Sequence, residues 1–180
     1  FPQITWYFII SVPLFVAVYL AARIMGYSEA DIGLRAGVIP VQLLIGLTGF
    51  TFGYAEYRIL APAPLATSFS WQELWLPALV LLVSTGFFEE LIFRGLMQRA
   101  ADGALGQRLG LVYISLVFAV LHIGYKSLLD VIFVFIVAIF CGWIVQKTGS
   151  LLGGTLSHGL TNIMLFLIMP FLAAASGVQW

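Results

Sequence analysis

Charge is what this sequence has least of. Only 9% of its 180 residues are Asp, Glu, Lys or Arg, against roughly 25% in a soluble domain. With 62% hydrophobic residues and a mean hydropathy of +1.06, the chain is too apolar for water and reads as a resident of the bilayer. Eight basic and eight acidic residues cancel, so no excess of one sign points to nucleic acid or to an electrostatically held partner. The single Cys141 excludes an internal disulfide and leaves the redox compartment unread. An HExxH metal motif is lacking, and so is a serine or cysteine set beside a base, because Cys141 has no motif partner and Ser157 is only a small residue. No soluble domain, internal repeat or low-complexity tail interrupts the pattern, which predicts one integral membrane domain over 1–180.

Long apolar runs are what the sequence has instead. Six of them, near 4–23, 38–54, 75–99, 108–123, 127–146 and 151–173, approach the roughly 20 residues needed to cross about 30 Å of hydrocarbon. The expectation is an all-α, polytopic bundle of about six spanning helices. Pro13 and Pro170 lie inside the first and last runs, where a membrane helix accommodates them as kinks. The stretch from Arg23 to Arg35 reads as an interfacial loop or short amphipathic piece, and Trp71 and Trp75 as interface anchors. Gly49 with Gly53, and Gly149 with Gly153, carry the small-residue spacing of close helix packing. The chain starts at Phe1 with a run already long enough to span, which reads as a trimmed piece of a longer chain rather than as a signal peptide.

Lys and Arg set an orientation. Arg23, Arg35, Arg99, Arg108 and Lys147 flank the first, third and fifth connections, whereas only Arg58 and Lys126 flank the second and fourth. The positive-inside rule then makes the odd connections cytoplasmic. Taking about 1.5 Å per residue, Glu89 lies roughly 15 Å deep from Arg99, His122 roughly 21 Å from Arg108, and His158 roughly 16 Å from Lys147. Ionisable groups at such depth are costly unless paired or facing a wet cavity, so their shared depth predicts one buried reactive chamber open to the cytoplasm.

Three constellations carry that chamber. In Glu89-Glu90-Leu91-Ile92-Phe93-Arg94, neighbouring carboxylates point about 100° apart, while Glu90 and Arg94 at i,i+4 can pair. Glu89 is then left free to take a proton from water, and the competing reading is a structural network tying helices together. Phe118-Ala-Val-Leu-His122 sets a ring one turn from a histidine, which by itself also fits an interface or core histidine. His158-Gly-Leu-Thr-Asn162 presents two donors from one face, suited to a developing oxyanion or, alternatively, to interhelical hydrogen bonding.

Together these motifs resemble the CAAX protease and bacteriocin-processing family of intramembrane endopeptidases, marked by EExxxR, FxxxH and HxxxN in that order on separate membrane segments. Phe93-Arg94-Gly95 and Lys147-Thr148-Gly149-Ser150-Leu151 are similar to its flanking text. The likeness covers roughly 75–165, and members often have about eight spans. It implies hydrolysis of a peptide bond in the membrane plane by activated water. Glu89 would be the general base, His122 would orient the water, His158 and Asn162 would form the oxyanion hole, and Glu90, Arg94 and Phe118 would support them. No cofactor is implied. A zinc-dependent version, with Glu89, His122 and His158 as ligands, is the alternative, beside a proton-coupled transport protein or a catalytically silent scaffold. The implied partners are the lipid bilayer and a membrane-associated or prenylated peptide or protein substrate; the sequence does not select among substrates or set the oligomeric state.

Overall fold

A computed structural model describes residues 3–177 and, among them, forms six helices and no strand. We label these α1 (Gln3–Ile24), α2 (Ile39–Leu60), α3 (Trp71–Leu105), α4 (Gln107–Tyr125), α5 (Leu128–Thr148) and α6 (Leu152–Ser176). Each falls on one of the six apolar runs. Four of them, α3 to α6, are long and apolar enough to cross a membrane, and the apolar part of α1, Ile9–Ile24, is shorter. The helix α2 is not among the four although it has 22 residues. Its sequence explains the difference from the expected six: Gln42, Thr48 and Glu56 interrupt the apolar run, and Gln42 and Glu56 are buried inside the bundle rather than presented to lipid.

Small residues on α2 bring it against α6. A Cβ on Gly49 would collide with the Ser157 carbonyl oxygen, and one on Gly53 with that of Thr161, so this pair needs glycine for backbone contact. The Thr48 and Ser157 hydroxyls then meet at 2.8 Å. The spacing of Gly149 and Gly153 has a different origin. Gly149 ends α5 at φ 63°, whereas Gly153 lies on α6 and donates its N–H to Gln42 Oε1 at 2.7 Å, so the two do not share one helix face.

Two apolar clusters hold α3 in the middle. Val18 and Ala22 of α1 pack with Phe88, Leu91, Ile32 and Leu151 on one side. Phe93 packs with Ile114, Phe118, Ala119, Val134 and Ala138 of α4 and α5 on the other. Leu129, Ile132, Ile136 and Trp143 of α5 point outward, as expected where the surrounding solvent is hydrocarbon.

The stretch from Arg23 to Arg35 is a loop of turns, with Ser28 capping Asp31 through a 2.6 Å hydroxyl–carboxylate bond. It closes one end of the bundle. Arg35 donates to the Gly149 and Thr148 carbonyls at 2.7 and 3.1 Å, Leu151 N–H donates to the Gly33 carbonyl, and Arg99 pairs with Asp31 at 3.3 Å. The first, third and fifth connections therefore meet at one basic end. Trp71 and Trp75 lie exposed on the first turns of α3, near the opposite end.

Helix α3 is irregular where the motif sits. Its 35 residues would run about 52 Å, more than a bilayer core, and its last turns, from Gln98 to Leu105, are polar. Wide π-type turns occupy Leu81–Phe87 and Leu91–Met97, one on each side of Glu89 and Glu90. Such widening recurs at functional sites. A third wide turn, Met164–Ile168, precedes Pro170, which lacks the N–H that a regular turn would use.

Candidate active site

Two glycines let the reactive segments touch. A Cβ on Gly86 would stand 2.9 Å from the Gly159 Cα, so α3 and α6 approach backbone to backbone just beside Glu89, Glu90 and His158. The result is an ion cluster. His158 lies between the two carboxylates, with Nδ1 3.3 Å from Glu90 Oε1 and Nε2 3.8 Å from Glu89 Oε2. Arg94 Nη1 is 3.5 Å from the same Glu90 oxygen, and the Glu90 side chain is fully buried. Glu89 differs from its neighbour: its side chain keeps 30% exposure and lines a cavity. It is not isolated, since His158 faces it.

Phe118 is the plate against which these groups are arranged. The Arg94 guanidinium stands 4.3 Å above its ring, His158 meets its edge with centroids 5.7 Å apart, and Phe93 packs edge-on at 4.9 Å. His122, one turn on, is 4.8 Å away. There α4 tightens into a 3₁₀ turn, and the His122 Nδ1–H donates to the Phe118 carbonyl at 2.9 Å. A carbonyl can only accept, so in the neutral ring Nε2 is left as a lone pair. Asn162 donates one amide N–H to Thr85 Oγ1 at 2.8 Å, and Thr85 passes its own hydroxyl to the Leu81 carbonyl.

Cavities join these residues. Glu89, Phe118 and His122 line a space of about 620 Å³ between α1, α3 and α4, otherwise walled mostly by Trp6, Ile10, Leu14, Phe88 and Ile92, with Tyr7 and Tyr125 adding hydroxyls. Behind Phe118 lies an inner chamber of about 30 Å³ bounded by Glu56, Glu90, Arg94, His122, His158 and Asn162. All seven motif residues thus border one or the other of these two cavities, which share Phe118 and His122 as lining residues. The zinc alternative needs three ligands in one place, and among the described residues no three His, Cys, Asp or Glu groups gather in a set able to hold a metal.

Three residues of this region escaped sequence reasoning. Glu56 is buried and faces the inner chamber from α2. The apolar run near 38–54 stops short of Glu56, whereas α2 continues to Leu60; the available signal is a carboxylate only four residues from that helix end. Thr85, which tethers Asn162, and Gln98, one turn beyond Arg94, carry no signal beyond polarity inside or beside an apolar run.

A family model described as type II CAAX prenyl endopeptidase Rce1-like matches residues 71–164. The chain belongs to this Rce1-like family. The matched span contains all three motifs and helices α3 to α5 with about half of α6, whereas α1 and α2 lie outside it. No curated protein and no solved structure matches the chain. Membership makes it a member of a peptidase family set in an all-helical, membrane-spanning scaffold.

Proposed function

We propose that this chain is an intramembrane endopeptidase that hydrolyses a peptide bond of a membrane-associated, prenylated substrate. The observation that carries the reading is His158 seated between Glu89 and Glu90, with Glu89 and His122 on the wall of a single large, mostly apolar cavity. A water bound between Glu89 and the His122 Nε2 lone pair gives its proton to Glu89 and adds to the scissile carbonyl carbon. The new oxyanion accepts from the second Asn162 N–H and from His158 Nε2–H. Because Glu90 takes the Nδ1 side of that ring, an oxyanion role for Nε2 requires the doubly protonated imidazole. Collapse breaks the C–N bond, and the proton held by Glu89 passes to the leaving amine. Arg94 holds Glu90, Glu90 orients His158, and Phe118 keeps both in place.

The apolar walls of the large cavity suit an acyl or isoprenoid chain beside the peptide. The basic end, where Arg35, Arg99 and the α5–α6 turn meet, is assigned to the cytoplasm by the positive-inside rule.

The test is cleavage of matched peptides with and without a prenyl group by purified protein, with elemental analysis of the same sample. Turnover of the prenylated peptide by metal-free enzyme supports the reading. Asn162→Ala should then lower kcat by roughly 10² to 10³ with little change in KM. Stoichiometric zinc that tracks activity, with a mild Asn162→Ala defect, overturns the metal-free mechanism in favour of zinc. No turnover of any peptide favours a silent or transport-type scaffold.

A further inference from the structure

Glu90, Arg94 and Gln98 follow one another at i, i+4 and i+8 on α3, forming a polar stripe from the ion cluster toward the basic end. All three are sealed in the bundle, at 0%, 3% and 2% exposure. Each nevertheless keeps an atom without a hydrogen-bond partner among the described residues: Glu90 Oε2, Gln98 Oε1, and Arg94 Nη1, whose ion pair with Glu90 Oε1 at 3.5 Å is not a hydrogen bond. Leaving buried polar atoms unmet is costly, and three in a row on one face call for something that meets them. They alternate as acceptor, donor and acceptor. A water can accept from the Arg94 N–H while donating to an oxygen on either side, so ordered waters complete the row.

Space for them exists on both sides of Arg94. This residue lines the 30 Å³ inner chamber together with Glu90 and His158, room for about two waters at roughly 15 Å³ each. It also lines, with Gln98, a separate vestibule of about 320 Å³ whose mouth carries Asp31, Arg35 and Arg99 at the basic end. The large cavity on the opposite side of Phe118 is walled mainly by apolar side chains. The two openings differ in chemistry: one suits a lipid-borne chain, the other suits water.

We propose that the vestibule and the Glu90–Arg94–Gln98 stripe form a hydrated route that delivers water from the membrane surface to the buried site, separate from the entrance used by substrate. The supply role rests on the peptidase reading above. The route itself does not, because hydration of the stripe follows from its polar atoms and cavities whatever the protein catalyses.

The experiment has two arms. In a Cys141→Ala background, Gln98→Cys is compared with Ala119→Cys, which lies in the dry apolar cluster of α4, using a small trimethylammonium methanethiosulfonate reagent on protein in lipid nanodiscs. A hydrated floor makes Gln98→Cys react about 10²-fold faster, since modification needs water and thiolate at the sulfur. Rates within a few-fold of each other overturn the route. The second arm reads turnover with Gln98→Leu and Gln98→Ser. The apolar near-isostere should lower kcat about tenfold or more at unchanged KM, whereas serine, which leaves room for another water, should stay within about threefold of wild type. A role in packing alone would make serine the worse of the two, and that order, or unchanged kcat in Gln98→Leu, overturns the supply role. Fast labelling in a protein without any peptidase turnover removes the proposed function and the supply role while leaving the hydrated route standing.

Discussion

Helices α3 and α5 lie side by side and differ in where they keep their charge. The most apolar stretch of α5 has a mean hydropathy of 2.8, with Asp130 in its first turn and Lys147 in its last. That of α3 has 1.8, and α3 carries Glu89, Glu90 and Arg94 well inside the span. The difference follows from their surroundings. Half of the apolar window of α3 is buried in the bundle, against a third for α5, so α3 can meet charge with charge while α5 turns Ile132, Ile136 and Trp143 outward. Composition reports the outward face of a membrane helix; a reactive site occupies the inward one.

The hardest test of this contrast removes the cavity-lining carboxylate of α3, Glu89. Glu89→Gln keeps shape but cannot accept a proton, so peptidase turnover should fall by roughly 10² to 10⁴ while the protein stays monodisperse in detergent. Turnover equal to wild type would end the general-base assignment. Next comes the buried charge beside it. Arg94→Ala strands Glu90, at 0% exposure, next to a single remaining partner, and should cost roughly 3–5 kcal/mol. Lys147→Ala at the end of α5 should stay within about 0.5 kcal/mol. Thermal unfolding in one detergent measures both, and equal effects would mean that α3 is no more an interior helix than α5.

The comparison can also be inverted by placing a charge on α5. Ile136→Asp sets a carboxylate on the outward face without a partner and should cost about 2.5–3.5 kcal/mol of insertion. It should be read as lost yield of membrane-integrated protein, and normal integration would show that this face is not lipid-facing. The smallest effect belongs to the loop at the basic end. Hydrogen bonds from the Ser28 hydroxyl and N–H, with Arg99 nearby, hold the Asp31 carboxyl below its ordinary value of 3.8. A depressed carboxyl adds stability above its unfolded value, and that contribution is lost as pH falls through the lower folded value. The stability advantage of wild type over Asp31→Asn should therefore be present at pH 6 and shrink below about pH 4; an advantage that grows on acidification would contradict the pairing.

Much of the helical layout was legible because hydrocarbon imposes length and composition on each segment separately. The six runs coincide with six helices, and the chain's membership of the Rce1-like family rests on residues 71–164, close to the predicted 75–165. The i,i+4 spacing of Glu90 and Arg94 was readable for the same local reason: one helix turn brings them together whatever surrounds it. Boundaries were less legible. α2 continues to Leu60, past Glu56, because a polar residue turned inward does not end a helix.

By itself, then, the sequence determined how many helices form, which of them carry charge, and which side chains are spaced to share a face, since these depend on short-range geometry and on transfer into lipid. Only the tertiary structure decided who meets whom across helices. It set His158 between Glu89 and Glu90, turned Glu56 of α2 into the inner chamber, tied Asn162 to Thr85, and ran the stripe to Gln98 against a vestibule. Those contacts depend on how closely two backbones can approach. That distance is fixed jointly by pairs such as Gly86 and Gly159, which lie far apart in the chain.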